Sequence, residues 1–212
     1  LQVLGGMVVE SSGSRIDPRW VVIPVGSAEN LPTFVSLLGD NYVSVAVMMD
    51  ITPTNKERVE RINKEKNSKE ENSLKWVEVT RVRDADIEDL LDAGVYLDLV
   101  NRAYRKELPE PLTMKMITGS NPRIVERLIA YFERENISNG SFDRYMPAAF
   151  LLENFDSFKS QISDDTVSKI ETLINRINSL LPGALNKIEV NRKANGRAAV
   201  DPITNSVSIG VS

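Results

Sequence analysis

Histidine and cysteine are both absent from this sequence of 212 residues. Histidine is the most common general base and metal ligand, and cysteine supplies thiolate nucleophiles and disulfides. Zinc sites, Ser-His-Asp triads and disulfide scaffolds are therefore excluded. Catalytic chemistry would have to come from carboxylates, lysine, tyrosine or hydroxyl groups. Because carboxylates bind hard cations such as Mg²⁺ or Mn²⁺, a carboxylate-metal site acting on phosphate esters is the class that best survives these absences.

Long apolar runs are also missing, since no stretch approaches the roughly 20 residues that a membrane-spanning helix needs. The net charge of -4 argues against broad coating of nucleic acid by a basic surface, although a local basic groove is compatible with it. No signal peptide opens the chain, and the lack of cysteine fits a reducing compartment. We therefore expect a soluble, cytoplasmic protein with no membrane partner.

The first half of the sequence alternates between short apolar segments and amphipathic ones. Strands are predicted at residues 6–9, 20–25, 43–49 and 75–80, where β-branched and other apolar side chains are concentrated. Helices are predicted at residues 31–38, 54–66 and 87–104. This order predicts an α/β fold with a parallel sheet, in which ligands gather at the carboxyl ends of the strands.

The second half is predicted to be mainly helical, because its apolar side chains recur at helical spacing in residues 124–132, 146–162 and 164–180. Asn121 and Pro122 are predicted to begin the first of these helices. In the tail, residues 187–190 and 206–211 are predicted to form a hairpin or edge strands. We therefore expect an α/β domain at residues 1–108 and a helical appendage with a short β tail at residues 109–212.

One predicted connection is too short. Only nine residues (11–19) separate Glu10 from Trp20, whereas a crossover between parallel strands normally needs a dozen or more. Our hypothesis is that a helix is missing here, by design or by natural loss.

Four acidic residues occupy positions suited to a metal site. Glu10 and Asp50 are each the first polar residue after a predicted strand, and Asp86 and Glu88 lie where the fourth strand is predicted to turn into its helix. Phosphodiester cleavage with divalent ions needs several carboxylates converging from different strand ends. Structural roles are equally open for three of them: Asp86 as an N-cap, Glu88 as a first-turn acid and Asp50 as a turn residue.

Six segments in fixed order carry a more specific pattern. They are GMVVE at residues 6–10, DPRWVVIPVGSAENLPTFVSLLG at 17–39, VSVAVMMD at 43–50, ADIEDLL at 85–91, VYLDLVNRAY at 95–104 and PRIVERLIAYF at 122–132. Together they resemble the Toprim nuclease region of the OLD (overcoming lysogenisation defect) family, over about residues 1–155. Proteins of that family join an N-terminal ABC-type ATPase to a C-terminal Toprim domain that cleaves DNA with divalent metal. Since no Walker A pattern is present, only the Toprim part is expected here.

The resemblance implies roles for the four acids. By position, Glu10 is similar to the Toprim glutamate, Asp50 to the first aspartate of the DxD motif, and Asp86 and Glu88 to the downstream acidic ligands. The implied metal ligands are thus Glu10, Asp50, Asp86 and Glu88, and the implied catalytic residues are Glu10, Asp50 and Glu88. The implied cofactor is Mg²⁺ or Mn²⁺, and the implied partners are DNA and the ATPase domain of the parent protein.

Two positions depart from the family pattern. Ser14 stands where the family usually has a further acidic residue, and Thr52 replaces the second aspartate of DxD. A threonine offers a neutral oxygen but no charge, so the second metal position lacks a charged ligand. Two hypotheses follow: a metal-dependent DNA endonuclease domain, impaired by these departures, or a non-catalytic Toprim-like module for interaction or homodimerisation.

Overall fold

The computed structural model describes residues 5–6, 9, 13–39, 44–50, 53–65, 74–80, 85–181 and 206–211. The chain divides into two compact units, each assembled from two separate stretches of sequence. The helical unit comprises Leu1–Ser14 and Asp84–Glu171, and the sheet unit comprises Arg15–Arg83 and Thr172–Ser212. The boundary expected after residue 108 falls inside the helical unit. The end of the chain belongs to the sheet unit, because it pairs with strands from the first half.

The sheet unit is built around four parallel strands. These are β1 (Trp20–Gly26), β2 (Ser44–Met49), β3 (Lys75–Glu78) and β4 (Ser206–Val211), in the spatial order β1-β4-β2-β3. The register pairs Trp20 and Ser44 with Ser206 on either side of β4, and Ala46 with Lys75. The expected α/β class with a parallel sheet is therefore confirmed, and three of the four strands predicted in the first half are present.

Two helices pack against this sheet, α1 (Leu31–Gly39) and α2 (Pro53–Glu65), with a short 3-10 turn at Ala28–Asn30 before α1. They share one hydrophobic core with the strands, formed by Val25, Leu31, Val35, Val47, Met49, Val59, Ile62 and Leu74. The charged helix α2 is anchored by the two apolar side chains that its sequence offers, Val59 and Ile62. Burial of these apolar side chains is what attaches an otherwise polar helix to the sheet.

The tail strand occupies an unexpected position. Ser206–Val211 does form a strand, as predicted, but it lies between β1 and β2 and is parallel to both, so the predicted edge or hairpin position is wrong. Its alternation of small polar residues with Val207, Ile209 and Val211 is typical of an edge. Its backbone is instead paired on both sides, with β1 and with β2. The other predicted tail strand, residues 187–190, lies outside the described residues.

The first predicted strand, residues 6–9, is wrong where the structure describes it. Gly5, Gly6 and Val9 have helical backbone, and the Gly13 N–H donates to the Val9 carbonyl at 3.1 Å. A parallel strand here would have needed a longer crossover before Trp20. A helix satisfies its hydrogen bonds internally and needs no crossover, so the short connection does not require a missing helix.

Among the described residues, the helical unit contains four α-helices after the helical residues Gly5, Gly6 and Val9. They are α3 (Ala93–Ala103), α4 (Ile124–Arg134), α5 (Tyr145–Glu153) and α6 (Phe155–Phe158), with 3-10 turns at Ile87–Leu90, Ile137–Gly140 and Lys159–Gln161. Helix α7 (Asp164–Ser179) carries the chain from this unit into the sheet unit. In the part of the chain that the structure describes, every helix is too short or too polar to cross a membrane.

Polar residues shorten or divide three predicted helices. The helix predicted at residues 87–104 breaks at Asp92, which has extended backbone and precedes α3. The helix predicted at residues 146–162 breaks at Asn154, whose side-chain amide donates to the Phe150 carbonyl at 2.9 Å. Helix α4 begins at Ile124 rather than at Pro122, because Asn121 accepts a hydrogen bond from the Arg123 N–H and forms a separate turn. Short polar side chains compete with helical hydrogen bonds in this way.

Three aromatic rings form the centre of the helical unit. Phe132 is fully buried and meets Tyr104 and Phe142 edge-on, with ring centroids 4.9 and 5.0 Å away. The Tyr104 hydroxyl donates to the Asp143 carbonyl at 3.0 Å and accepts from the Asp143 N–H at 2.8 Å. The cluster therefore joins α3, α4 and the segment before α5. Phe158 is also fully buried and belongs to the core of this unit.

Candidate functional site

Asp50 lies at the carboxyl end of β2, as predicted. It follows Met49, is half-buried, and its main-chain carbonyl accepts a hydrogen bond from the Asn55 side-chain amide at 3.4 Å. On the neighbouring strand Met49 is paired with Glu78, and the Val79 N–H donates to the Met49 carbonyl at 3.0 Å. Because all the strands are parallel, their carboxyl ends share this edge, which is where open α/β sheets bind ligands.

The other predicted positions around Asp50 are described only in part. Glu10 and Thr52 lie outside the described residues. Ser14, which stands where the family that the sequence resembles usually has an acid, donates a hydrogen bond to Glu171 at 2.7 Å within the helical unit. Asp50 belongs to the sheet unit, whereas Asp86 and Glu88 belong to the helical unit.

Asp86 and Glu88 lie at the start of the 3-10 turn Ile87–Leu90. Asp86 is its N-cap residue and is completely buried, with 0% exposure, and the Glu88 side chain is 15% exposed. By its backbone, Asp86 therefore occupies the N-cap position that was its structural alternative. A fully buried carboxylate needs a compensating charge.

That charge comes from Arg144, the residue before α5. Its Nε donates to Glu88 Oε1 at 3.0 Å and its Nη2 donates to Glu88 Oε2 at 2.9 Å, a bidentate pair. The same Nη2 lies 3.0 Å from Asp86 Oδ2. One guanidinium group thus contacts two of the four predicted metal ligands. Bidentate arginine-carboxylate pairs are among the stronger and more directional ionic contacts in proteins.

A second arginine, Arg123, contacts the other carboxylate oxygen of Asp86. Arg123 Nη1 lies 3.4 Å from Asp86 Oδ1 and 3.5 Å from Glu126 Oε1. Among the described residues, neither oxygen of Asp86 has a hydrogen bond of good geometry, so its compensation is by charge rather than by directed bonds. We call Asp86, Glu88, Arg123, Glu126 and Arg144 the arginine-acid network.

Asp89 accepts hydrogen bonds that hold in place the backbone of the arginine-acid network. Its Oδ2 accepts a hydrogen bond from the Asp86 N–H at 2.8 Å, and its Oδ1 accepts from the Ile124 N–H at 3.4 Å. Ile124 is the first residue of α4, where the helix dipole favours a carboxylate. Asp89 therefore joins the acidic turn to the amino end of α4, next to Arg123.

Tyr96 lies in the same electrostatic environment. The residue is 3% exposed, and its hydroxyl has no hydrogen-bond partner among the described residues. Burial, followed by the negative charge of Glu88, raises the pKa of Tyr96 above its ordinary value, while Arg144 opposes this increase. The hydroxyl is therefore un-ionised at neutral pH, and it carries the desolvation cost of an unpaired polar group.

Replacing Tyr96 with phenylalanine is expected to stabilise the protein by about 1 kcal/mol, because it removes a buried hydroxyl that makes no hydrogen bond. Tyr104→Phe is the matched control: the residue is also 3% exposed, but its hydroxyl makes two hydrogen bonds with Asp143. It should lower the free energy of unfolding by about 1–2 kcal/mol. Urea titrations of both variants measure this difference, and equal losses of stability would show that Tyr96 is hydrogen-bonded in solution.

The predicted metal ligands differ in how well they fit a divalent ion. Asp50 fits by position, since it is a carboxylate at the ligand-binding edge of a parallel sheet. Asp86 and Glu88 do not fit as they are arranged, because a guanidinium group contacts oxygens of both and would repel an ion bound beside it. Over the described ranges, no group of three or more Asp or Glu side chains is placed to hold a metal ion.

No role was assigned to Arg123, Arg144 or Tyr96 from the sequence. Arg144 lies 56 positions after Glu88, and no spacing rule connects residues so far apart. The available signal was indirect: two acids concentrated in one short turn need counter-charges if the turn is buried. Comparison with protein-family models, with curated proteins and with solved structures gave no match.

Proposed function

We propose that this chain is a Toprim-type DNA endonuclease domain of an OLD-like ATPase-nuclease, with an impaired metal site. The observation that carries the proposal is the position of Asp50, directly after a buried strand of a parallel sheet, at the edge where such folds bind ligands. The six ordered sequence segments that resemble the family support the same assignment.

The acidic residues of this domain would have unequal roles in binding the metal ion. A divalent ion, when bound, lowers the pKa of a water molecule and stabilises charge on a phosphodiester. We assign the binding of this ion to Asp50 and Glu10, with Glu10 included on the basis of the sequence pattern. Glu88 and Asp86 are engaged by Arg144, so we assign them no part in the chemistry in this arrangement. An acid set reduced in this way would give weak activity.

The unmodified chain is therefore expected to nick supercoiled plasmid weakly or not at all with Mn²⁺, and Thr52→Asp is expected to increase nicking. The substitution restores the second acid of the DxD pattern beside Asp50, and a hard cation gains affinity with each added carboxylate. Plasmid nicking is measured on gels, and Mn²⁺ affinity is measured by calorimetry.

Two controls define the outcome. Thr52→Asn has the shape of the aspartate without its charge and should leave nicking at the level of the parent chain. Asp50→Ala, added to Thr52→Asp, should abolish the gain. Nicking that is strong in the parent chain and insensitive to Asp50→Ala would refute the proposed site.

A non-catalytic interaction or dimerisation module is the second proposal. The observation that favours it is the pairing of Asp86 and Glu88 with Arg144, because acids that are ion-paired within the fold are not available to bind a metal ion. If Thr52→Asp neither binds Mn²⁺ more tightly nor nicks DNA, this second function is preferred. Sedimentation of the parent chain would then show whether a second copy is the partner.

A further inference from the structure

We propose that Arg144 acts as a tethered cation that occupies the Asp86 and Glu88 carboxylates and excludes a divalent metal ion from them. The inference deepens the proposed function and rests on it only in taking a divalent cation as the competitor. It concerns the binding of an ion, so it is testable in the absence of DNA and of any cleavage.

The geometry places one guanidinium group across two carboxylates. Three oxygen contacts of 2.9–3.0 Å join it to Glu88 Oε1, Glu88 Oε2 and Asp86 Oδ2. A planar fork with several N–H donors can make such a set, whereas a lysine ammonium group acts as a single point charge. The guanidinium thus provides at these oxygens the positive charge that a bound ion would otherwise bring.

The charges of the arginine-acid network explain why removal of Arg144 should allow a divalent cation to bind. Asp86, Glu88 and Glu126 carry three negative charges, against two positive charges on Arg123 and Arg144. Without Arg144, three carboxylates would face one arginine, with Asp86 completely buried. Such a set of oxygens suits a hard divalent cation.

Tyr96 supplies a second, independent observation at this place. Its hydroxyl is almost completely buried and has no hydrogen-bond partner in the described part of the chain. Its electrostatic neighbours include Glu88, Arg144 and Asp89. Buried unpaired polar groups are uncommon, and a functional role or a bound ion is among the explanations for them.

The experiment measures Mn²⁺ binding to the full chain by calorimetry, without DNA. Arg144→Gln is expected to bind Mn²⁺ at least tenfold more tightly than the parent chain, and Arg144→Gln/Glu88→Gln is expected to lose this gain. The melting temperature of Arg144→Gln should also rise with Mn²⁺ more than that of the parent, since an ion that binds the folded state stabilises it. Arg123→Gln is the matched control, because Arg123 contacts Asp86 but makes no ion pair with Glu88 among the contacts described above.

Each outcome decides the proposal. A gain in Arg144→Gln that is absent in Arg123→Gln and lost with Glu88→Gln supports it. Unchanged affinity in Arg144→Gln, an equal gain in Arg123→Gln, or a gain that survives Glu88→Gln overturns it.

If Arg144→Gln does not fold, Arg144→Lys replaces it, because lysine keeps the charge but cannot bridge both acids as a fork. Arg144→Lys should then bind Mn²⁺ more tightly than the parent, and parental affinity would overturn the proposal. The parent chain and its Asp50→Ala variant are measured alongside. Metal binding and nicking that depend on Asp50, together with no effect of Arg144, would leave the nuclease proposal standing while this one fails.

Discussion

Truncating Phe132 to alanine is expected to lower the free energy of unfolding by about 4 kcal/mol. The ring is fully buried, and it lies about 5 Å, centroid to centroid, from the rings of Tyr104 and Phe142. Alanine would leave a cavity that the two remaining rings cannot fill without giving up their own contacts. Tyr104 is further restrained by its two hydrogen bonds to Asp143, which limits collapse around the cavity.

Urea denaturation followed by near-ultraviolet circular dichroism measures this loss in the helical unit. Tyr145→Ala is the matched aromatic control, because Tyr145 lies in the same unit but is 73% exposed. It should change the free energy of unfolding by less than about 0.5 kcal/mol. Similar losses in the two variants would mean that the aromatic cluster is not the centre of this unit.

The elements that could be predicted from sequence are those whose pattern is local. Strand β1 combines β-branched residues in one short run, and α4 carries an apolar stripe at helical spacing, so each pattern selects one structure without help from distant residues. The position of Asp50 follows from the same kind of information, since it needs only the end of β2 and the parallel direction of the sheet.

The elements that could not be predicted depend on distant partners. Ser206–Val211 pairs with strands that lie well over 100 residues earlier in the sequence, and its own alternation favoured an edge rather than the middle of the sheet. Residues 6–9 have the composition of a strand, but the nine residues 11–19 are too few for the crossover that parallel pairing with β1 would need. Local propensity is a weak determinant where long-range pairing decides.

The arginine-acid network shows the same limit at the level of side chains. The sequence identifies Asp86 and Glu88 as an acidic pair near a helix start, which is compatible with metal binding and with capping. Which of these applies depends on Arg144, which the fold brings from a different element. A bound cation and a guanidinium satisfy the same carboxylates, so the two cannot be distinguished before the fold is known.

Replacing Asp86 with alanine is expected to lower the free energy of unfolding by about 3 kcal/mol, the lower end of the range for breaking a buried ion pair. Asp86 is completely buried, and two guanidinium groups lie 3.0 and 3.4 Å from its oxygens. Its removal takes from both guanidinium groups a buried carboxylate that they contact. The loss stays at the lower end because Arg144 keeps Glu88, Arg123 keeps Glu126, and both arginine side chains retain some contact with water.

Asp98→Ala isolates the contribution of burial, because Asp98 also pairs with an arginine, Arg102, at 3.0 Å and also lies in the helical unit. That pair is exposed, at 36% for Asp98 and 45% for Arg102, and it joins consecutive turns of one helix. Such a pair contributes about 0.3–0.5 kcal/mol. Urea titrations of both variants should therefore give losses that differ severalfold. If Asp86→Ala is no more destabilising than Asp98→Ala, the contacts of Asp86 with Arg123 and Arg144 do not hold the acidic turn in place, and the charge argument for Arg144 loses its structural basis.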